Sequence, residues 1–351
     1  MSLITSAIRL VEQTPVPDPI TRRGIDLVIG RARRRLSQLP ADCEADFAAG
    51  LDGRPIASHT DAANAQHYEL PPDFFALTLG PRCKYSCCLY PKGDETLAEA
   101  ETLALEETVS HAGLGDSQRI LELGCGWGSL TLFMAERYPD ARITAVSNSL
   151  PQRLHIEARA RERGFDNLTV VTADMNSFRP DGLFDRIVSV EMFEHMSNWR
   201  ALLERIRRWL HRDGLLFVHV FSHRNQPYRF DHTDKADWIA QHFFTGGIMP
   251  SHGLIGRFPD SFEIEQAWRW SGRHYQRTAR DWLVNFDANR ARIDPILTAV
   301  YGANAGRWRR RWRLFYLATA GLFGHAGGDE WGVSHYRLRP AGGTPPAPES
   351  R

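Results

Sequence analysis

A glycine-rich loop between a predicted strand and a predicted helix constrains this chain more than any other feature. Residues 121–128 read Leu-Glu-Leu-Gly-Cys-Gly-Trp-Gly, at the end of an apolar strand and before a helix predicted at 129–138. This order places backbone N–H groups at the carboxyl edge of a parallel sheet, where open α/β folds bind ligands. The spacing differs from the dinucleotide pattern Gly-x-Gly-x-x-Gly, and no P-loop lysine follows. The loop therefore predicts a nucleotide-type site.

Strands and helices alternate around this loop. The capping box of Thr96 and Glu99 predicts a helix that starts at Thr96. Further elements are predicted, in chain order, as strand 119–123, strand 142–146, helix 151–163, strand 168–171, strand 185–190, helix 199–210 and strand 215–221. Asp213-Gly214 is expected to stop the last of these helices. The alternation predicts an α/β fold with a mostly parallel sheet and helices on both faces.

The remaining segments suggest how the chain is divided. Helical spacing of apolar residues near the N-terminus predicts a helical segment there. A region rich in Trp, Phe and His breaks the alternation; strand 262–270 and helices 278–290 and 305–323 are predicted in it, and a last strand at 330–338. The predicted divisions are an N-terminal helical cap segment 1–75, a Rossmann-like domain 76–338 with an inserted α/β substrate cap 223–329, and a flexible tail 339–351.

Composition excludes several classes of function. The formal net charge is +1, so no global charge draws the chain to nucleic acid or anionic lipid. The arginine run 307–313 is interleaved with tryptophan, which predicts a helix with a basic face rather than a lipid patch. Five cysteines without regular spacing predict neither a disulfide framework nor a metal site. We expect a cytoplasmic protein without stable membrane insertion, and the sequence leaves open whether it forms a homodimer.

Several separated motifs resemble those of one family. Tyr85-Ser86-Cys87, the glycine loop, residues 190–196 (Val-Glu-Met-Phe-Glu-His-Met) and His219 resemble the cyclopropane-fatty-acid synthase superfamily of class I methyltransferases. Within it, the chain is most similar to the plant coclaurine and pavine N-methyltransferases, on residues 66–69, 84–88, 288–289 and 330–331. The resemblance covers roughly residues 60–338. It implies a Rossmann-like class I fold, methyl transfer, and S-adenosylmethionine as the cofactor.

The resemblance and the strand pattern together imply a set of cofactor contacts. The residues expected to contact S-adenosylmethionine are Tyr85, Ser86, Gly124, Gly126, Ser147, Asn148, Gln152, Asp174, Met175 and Val190. The second strand ends without the acidic residue that usually binds ribose hydroxyls, and the resemblance implies that Ser147 and Gln152 replace it. Asp174 can accept from the adenine amine, and a helix-cap role is the alternative.

A cluster of ionisable residues follows the fourth strand. The resemblance implies that Glu191, Glu194 and His195 line an amine site, together with Glu69. Crowded carboxylates raise each other's pKa, so this set can attract an ammonium group and take its proton. The alternative is a helix start at which carboxylates favour the helix dipole.

Three more residues complete the expected substrate site. Tyr68, His219 and Trp331 are expected to contact the substrate. His219 lies on an apolar strand and is equally compatible with a core histidine, and Trp331 with a core aromatic residue. The predicted function is N-methylation of a small cyclic or aromatic amine, such as a tetrahydroisoquinoline.

Two alternatives belong to other classes of function. The first is a lipid methyltransferase of the cyclopropane synthase type, which by resemblance holds a bicarbonate base with residues that match Cys87, Glu194, His219 and a tyrosine. Leu283 is predicted at that tyrosine's position, and Glu191 stands where the lipid enzymes usually carry glycine. Both departures argue against a lipid substrate. The second alternative is a non-catalytic cofactor-binding scaffold, against which the complete motifs argue.

Overall fold

A sheet of seven strands forms the centre of the molecule. The computed structural model describes residues 3–40, 42–58 and 70–342. The sheet order is β3-β2-β1-β4-β5-β9-β8, and a separate pair, β6 and β7, forms a second small sheet. The strands are β1 Arg119–Leu123, β2 Arg142–Ser147, β3 Leu168–Thr172, β4 Phe184–Val190, β5 Leu210–His223, β6 Tyr228–Arg229, β7 Ile248–Met249, β8 Phe262–Ser271 and β9 Trp331–Pro340.

Helices surround this sheet and continue into the region after β5. They are α1 Leu3–Gln13, α2 Asp18–Leu36, α3 Cys43–Ala49, α4 Pro72–Thr78, α5 Leu97–Ala112, α6 Ser129–Arg137, α7 Leu150–Arg163, α8 Trp199–Trp209, α9 Trp238–His242, α10 Gly272–Ala288, α11 Arg290–Tyr301 and α12 Ala305–Gly324. Short 3-10 turns occur at Phe193–His195, Leu254–Arg257, Gly302–Asn304 and His325–Gly328.

The sheet is covered on both faces, as the alternation predicts. Ile120 of β1 packs with α5 and α6, whereas Leu121 and Leu123 pack with α8. Successive side chains of a strand point to opposite faces, so β1 contributes to two separate cores. Strands β1 to β5 pair in parallel, and β9 is antiparallel to both β5 and β8. The prediction of a mostly parallel class I methyltransferase sheet is confirmed.

Local sequence signals account for both ends of α5. The Thr96 side chain accepts from the Glu99 N–H, the Glu99 carboxylate accepts from the Thr96 N–H, and α5 ends at Gly113 with φ 63°. This is the predicted capping box with a glycine C-cap. One predicted stop is wrong: Asp213-Gly214 lies inside β5, which begins at Leu210. The register shifts here between Phe184 and Arg186, so a bulge in the β4–β5 pair absorbs these residues.

The first two helices pack against α12 near the far end of the chain. Arg313 pairs with Asp18 and Asp287, and Arg311 with Glu12. The guanidinium group of Arg310 donates to the Glu12 carbonyl at 2.6 Å. Much of the arginine run therefore holds α1 and α2 against α12, as expected for a basic helix face. The domain boundaries proposed from the sequence stay a prediction.

Two further expectations concern the whole chain. Cys43, Cys83, Cys87, Cys88 and Cys125 are all free thiols. Across the residues that the structure describes, no helix combines the length and the apolar character needed to cross a membrane.

Candidate active site

The glycine loop has a backbone shape that only glycine adopts without strain. Gly124, Gly126 and Gly128 have φ values of 79°, 52° and 83°. A Cβ on Gly124 would lie 2.6 Å from the Met192 Cβ, and one on Gly128 would lie 2.6 Å from the Ile156 side chain. A Cβ on Gly126 would meet nothing within 4 Å. The first and third glycines thus permit close packing, while the middle one faces open space beside the loop.

Two adjoining cavities meet at this loop. The smaller has a volume of about 90 Å³ and the larger about 880 Å³, and both are lined by Gly124, Gly126, Gln152, Glu191 and His195. All ten residues expected at the cofactor line one cavity or the other. Ser147, Asn148, Asp174 and Met175 line the smaller, and Tyr85, Ser86 and Val190 line the larger.

The donors and acceptors around the smaller cavity fit S-adenosylmethionine. Gln152 is buried, and its Oε1 accepts from the Ser147 hydroxyl at 2.6 Å. Its Nε2 has no hydrogen-bond partner within the described residues. A buried amide with an unused donor suits a hydroxyl of a bound ligand. Asp174 Oδ1 accepts from the Asn176 N–H at 2.7 Å in a turn, and no helix begins between β3 and β4, so Asp174 does not cap a helix and lines the cavity instead.

Two charged residues at the larger cavity were missed in the sequence. Glu122, at the end of β1, lines the cavity and accepts from the Thr131 hydroxyl at 2.5 Å. Burial raises the pKa of Glu122 to about 7. Lys84 is buried and donates to the Ser86 hydroxyl and to the Cys87 carbonyl. The signal for Glu122 was available: a carboxylate within an otherwise apolar strand, directly before the glycine loop.

Aromatic residues form much of the wall of the larger cavity. Trp238, Phe243 and Phe244 line it. Trp268 does not; it stacks on His111 with ring centroids 3.8 Å apart. The cavity also reaches α2 and α12, and Tyr275 of α10 contributes another ring. This wall can hold an apolar ring system beside the glycine loop.

The carboxylate of Glu191 lies where the two cavities meet. Its Oε1 accepts from the Cys87 N–H at 3.0 Å and lies 3.2 Å from His219 Nε2. Its Oε2 accepts from the Tyr275 hydroxyl at 2.7 Å. The backbone of Glu191 is left-handed, with φ 49°, which costs a non-glycine residue about 1–2 kcal/mol. Burial raises the pKa of Glu191, against the hydrogen bonds that lower it.

The neighbouring carboxylate and imidazole differ in their access to the cavities. His195 lines both cavities, and its ring packs against Phe244 with centroids 4.5 Å apart. Glu194 is fully buried and lines neither; its Oε1 accepts from the Phe221 N–H at 2.7 Å. Burial, and then the charge of Glu191, raise the pKa of Glu194 well above its usual value. Two of the three expected catalytic residues therefore reach the cavity.

The expected substrate contacts need correction. His219 is fully buried beneath Glu191 and does not line the cavity. Trp331 is also fully buried, and its Nε1 donates to the hydroxyl of Tyr228, which does line the cavity. Both residues support the wall rather than form it, because β5 and β9 carry them into the core. Residues 66–69, which include Tyr68 and Glu69, lie outside the described residues.

Tyr275 is a site residue that the sequence analysis missed. The expected tyrosine position was assigned to Leu283, which is buried farther along α10. The tyrosine hydroxyl at this site comes from Tyr275 instead, so the argument from a missing tyrosine against a lipid substrate does not hold. The Cys87 N–H, His219 and Tyr275 contact the carboxylate of Glu191.

Comparison with known proteins identifies a family and several similar proteins. Residues 57–326 match the family described as mycolic acid cyclopropane synthetase. The chain is 34% identical to (S)-coclaurine N-methyltransferase of Thalictrum flavum subsp. glaucum, over 95% of each chain. It is 29% identical to the cyclopropane-fatty-acyl-phospholipid synthase of Escherichia coli strain K12, over 74% of this chain and 63% of that protein.

A solved structure agrees in fold and in overall length. The crystal structure of a coclaurine N-methyltransferase bound to N-methylheliamine and SAH, the demethylated cofactor, has a TM-score of 0.92 and 32% identity. The match covers 96% of this chain and 100% of that one. The family match spans most of the chain, and the ten expected cofactor residues surround the two cavities. The chain therefore belongs to the mycolic acid cyclopropane synthetase family and is an S-adenosylmethionine-dependent methyltransferase.

Proposed function

We propose that the chain methylates the nitrogen of a small cyclic or aromatic amine, such as a tetrahydroisoquinoline. The observation that carries this proposal is the carboxylate of Glu191, fixed beside the glycine loop at the base of an aromatic cavity. The relative with 34% identity is named for N-methylation of (S)-coclaurine, which is consistent with such a substrate.

The cavity suits both parts of an amine cation. The aromatic wall can pack against the apolar ring system, and ring faces also attract an ammonium group. The carboxylate of Glu191 attracts the same ammonium at the end of the cavity near the cofactor residues. An apolar cavity with one anionic end therefore orients an amine with its nitrogen toward the glycine loop.

The amine must lose a proton before its nitrogen can attack. An alkylammonium has no free lone pair, so a base within reach accelerates the reaction. Burial raises the pKa of Glu191, which makes this carboxylate a stronger base than an exposed one. His195 also lines both cavities and is a second candidate base. Bound S-adenosylmethionine supplies the methyl group, and the protein's main contribution is to position the nitrogen in line with it.

Glu194 has a supporting role in this proposal. Its carboxyl group accepts from the Phe221 N–H and lies behind the cavity wall. It holds β5 against the turn that carries His195. Of the expected catalytic residues, Glu191 and His195 would contact the amine and Glu194 would position them.

The contacts of Glu191 also favour an amine over a lipid substrate. The Cys87 N–H, His219 and Tyr275 all contact the carboxylate of Glu191, which belongs to the chain itself. A base built into the chain does not require the external bicarbonate that the resemblance implies for the lipid enzymes. An ionised carboxylate at this point also suits a cation better than a neutral alkene.

Methyl transfer to defined substrates tests this proposal. Purified protein is incubated with S-adenosylmethionine and tetrahydroisoquinoline, and separately with vesicles of unsaturated phospholipid. We expect a one-carbon mass gain on the amine, with the new methyl group assigned to nitrogen by NMR. A mass gain on the lipid alone would overturn the proposal in favour of cyclopropane synthase chemistry.

The charge and the cysteines of the chain bear on its partner and on its cellular compartment. Its partner is a small molecule, and it binds neither nucleic acid nor a membrane. The formal net charge of +1 supports this, because it gives no strong attraction to either. Five free thiols are consistent with a reducing compartment, and we propose the cytoplasm.

A further inference from the structure

We propose that His219, His335 and His111 form a proton relay from Glu191 to Glu107 at the protein surface. The inference rests on the proposed function, because methylation of an ammonium substrate releases one proton in each turnover. His335, His111 and Glu107 line neither of the two cavities described at the active site.

The relay consists of a row of contacts across the end of the sheet. His219 Nε2 lies 3.2 Å from Glu191 Oε1. His219 and His335 are directly paired across β5 and β9, with ring centroids 4.5 Å apart. His335 Nδ1 lies 2.9 Å from His111 Nδ1, and His111 Nε2 lies 3.1 Å from Glu107 Oε1. The Glu107 side chain is 41% exposed, so the row runs from the active site to solvent.

The exposed end fixes the direction of the hydrogen bonds. An ionised Glu107 accepts only, so His111 carries its proton on Nε2 and leaves Nδ1 as an acceptor. His335 must then donate from Nδ1, which leaves its Nε2 as an acceptor. When Glu191 holds a proton and donates it to His219 Nε2, the proton of His219 lies on Nδ1. Every donor in the row then points from Glu191 toward the surface.

The two unused nitrogens in the row are complementary. His219 Nδ1 and His335 Nε2 are buried without a hydrogen-bond partner in the described part of the chain. In the arrangement above, the first is a donor and the second an acceptor, on neighbouring rings. Because these two nitrogens are not hydrogen-bonded to each other, the transfer between them requires a rotation of one ring or one bridging water molecule. Buried polar atoms without partners are costly, and two on adjacent histidines are unusual for a purely structural core.

The surroundings keep the row neutral between turnovers. Burial lowers the pKa of His219 and of His335 well below the usual value, and nearby Lys84 adds to the effect at both. At His111, burial and then the charge of Glu107 oppose each other, and Arg337 lowers the pKa further. Trp268 and Trp270 pack against His111 and His335 and exclude solvent from the row. Neutral imidazoles pass a proton along without storing charge.

The proton balance of the reaction defines what the relay would carry. One N–H bond of the substrate ammonium breaks, and its proton moves to Glu191. The freed nitrogen lone pair forms the new bond to the methyl carbon, and the electrons of the carbon–sulfur bond remain on sulfur. The product keeps the substrate's other N–H proton as an ammonium. The proton on Glu191 leaves through His219, His335 and His111 to Glu107, and then to water.

The pH dependence of turnover distinguishes a relay from a structural role. His335→Gln removes the relay and keeps a polar side chain of similar size. Near pH 7 we expect kcat to fall about tenfold, with little change in KM for tetrahydroisoquinoline. Above the pKa of the free amine, the substrate arrives neutral and the loss should disappear. An equal loss at every pH, or no loss near pH 7, would overturn the relay.

The exposed end offers variants that leave the core intact. Glu107→Gln should show the same pH-dependent loss, smaller in size, because water can replace the terminal acceptor. Glu106→Gln, its exposed neighbour on α5, is the matched control and should behave as the unaltered protein. Identical pH profiles for the two variants would contradict Glu107 as the end of the row.

A measurement without turnover separates this inference from the proposed function. ¹⁵N NMR of histidine-labelled protein reports which ring nitrogen carries the proton. We expect His335 protonated at Nδ1 and His111 at Nε2. His335 protonated at Nε2 would overturn the relay even if amines are methylated. Failure to methylate any amine, with the expected tautomers present, would instead remove the proposed function and leave the row of donors established.

Discussion

The glycine loop on the cofactor side of the active site is one continuous stretch of backbone, whereas the contacts that hold Glu191 on the amine side join distant residues. A single loop between β1 and α6 provides Gly124, Gly126 and Gly128, and its shape is a property of the backbone. The carboxylate of Glu191 is held by Cys87, His219 and Tyr275, which come from three other parts of the chain.

This difference has a consequence for how the two sides can be altered. A Cβ on Gly124 or Gly128 would collide with a neighbouring side chain, while a side-chain carboxylate can be changed without moving the loop. Glu191 lies at the same sheet edge and lines both cavities, but its carboxylate is held by residues outside the glycine loop. We therefore expect substitutions to separate cofactor affinity from turnover.

The largest effect is expected on the cofactor side, from Gly124→Ala. The new Cβ would lie 2.6 Å from the Met192 Cβ at a φ of 79°. Backbone strain and overpacking together should lower S-adenosylmethionine affinity about a thousandfold, measured by calorimetry. Gly164→Ala is the matched control, because its φ is 71° and nothing lies within 4 Å. Equal affinity in both variants would remove the loop from the cofactor site.

On the amine side, two adjacent residues should respond differently. His195→Asn should lower turnover about a hundredfold with S-adenosylmethionine affinity nearly unchanged, because His195 lines the cavity. Glu194→Gln should retain most of the turnover, since its buried carboxyl group has a raised pKa and the amide can still accept from the Phe221 N–H. The measurement is steady-state kinetics with tetrahydroisoquinoline. A larger loss in Glu194→Gln than in His195→Asn would show that Glu194 is itself the base.

Tyr275→Phe should produce an intermediate effect with a characteristic pH dependence. The hydroxyl donates to Glu191 and lowers the pKa of that carboxyl group, so its removal raises this pKa further. Glu191 then stays protonated up to a higher pH, so the acidic limb of the pH–rate profile should shift to higher pH. Turnover near pH 7 should fall about tenfold. An unshifted profile would indicate that Glu191 does not act as the base.

The smallest effect is expected for Glu122→Gln, again on the cofactor side. With a pKa of about 7, Glu122 is mostly neutral below that pH and mostly ionised above it. If it attracts the cofactor's ammonium group, affinity should rise as the pH increases through about 7. The variant should lose about fivefold in affinity near pH 8 and almost nothing near pH 6, by calorimetry. The same loss at both pH values would exclude a role for the charge.

The sequence predicted the two sides of the site with unequal success, for a physical reason. The boundaries of β1 to β3 follow from local patterns and agree with the structure to within about one residue. The ten residues that the resemblance and the strand pattern imply for the cofactor line the two cavities, and their contacts with the cofactor stay a prediction. Tyr275 was missed because its contact with Glu191 joins residues far apart in the chain, and α10 begins at Gly272, earlier than its apolar spacing suggested. Local sequence patterns do not predict which strands and helices bring such residues together.

The same limit applies to the residues behind the wall. His219 and Trp331 were expected to contact the substrate, but the pairing of β5 with β9 buries both. The β5 start was also misplaced, since a bulge can absorb Asp213-Gly214 without ending the strand. Pairing between strands distant in sequence decides these points, and only the folded structure shows it.

The most direct test of the separation between the two sides is Glu191→Gln, with turnover and cofactor affinity measured on the same preparation. The amide keeps the size of the side chain and removes its charge. We expect turnover of tetrahydroisoquinoline to fall at least about a hundredfold, while calorimetric affinity for S-adenosylhomocysteine stays within about twofold. Unchanged turnover, or a parallel loss of turnover and affinity, would contradict a carboxylate that serves the amine alone.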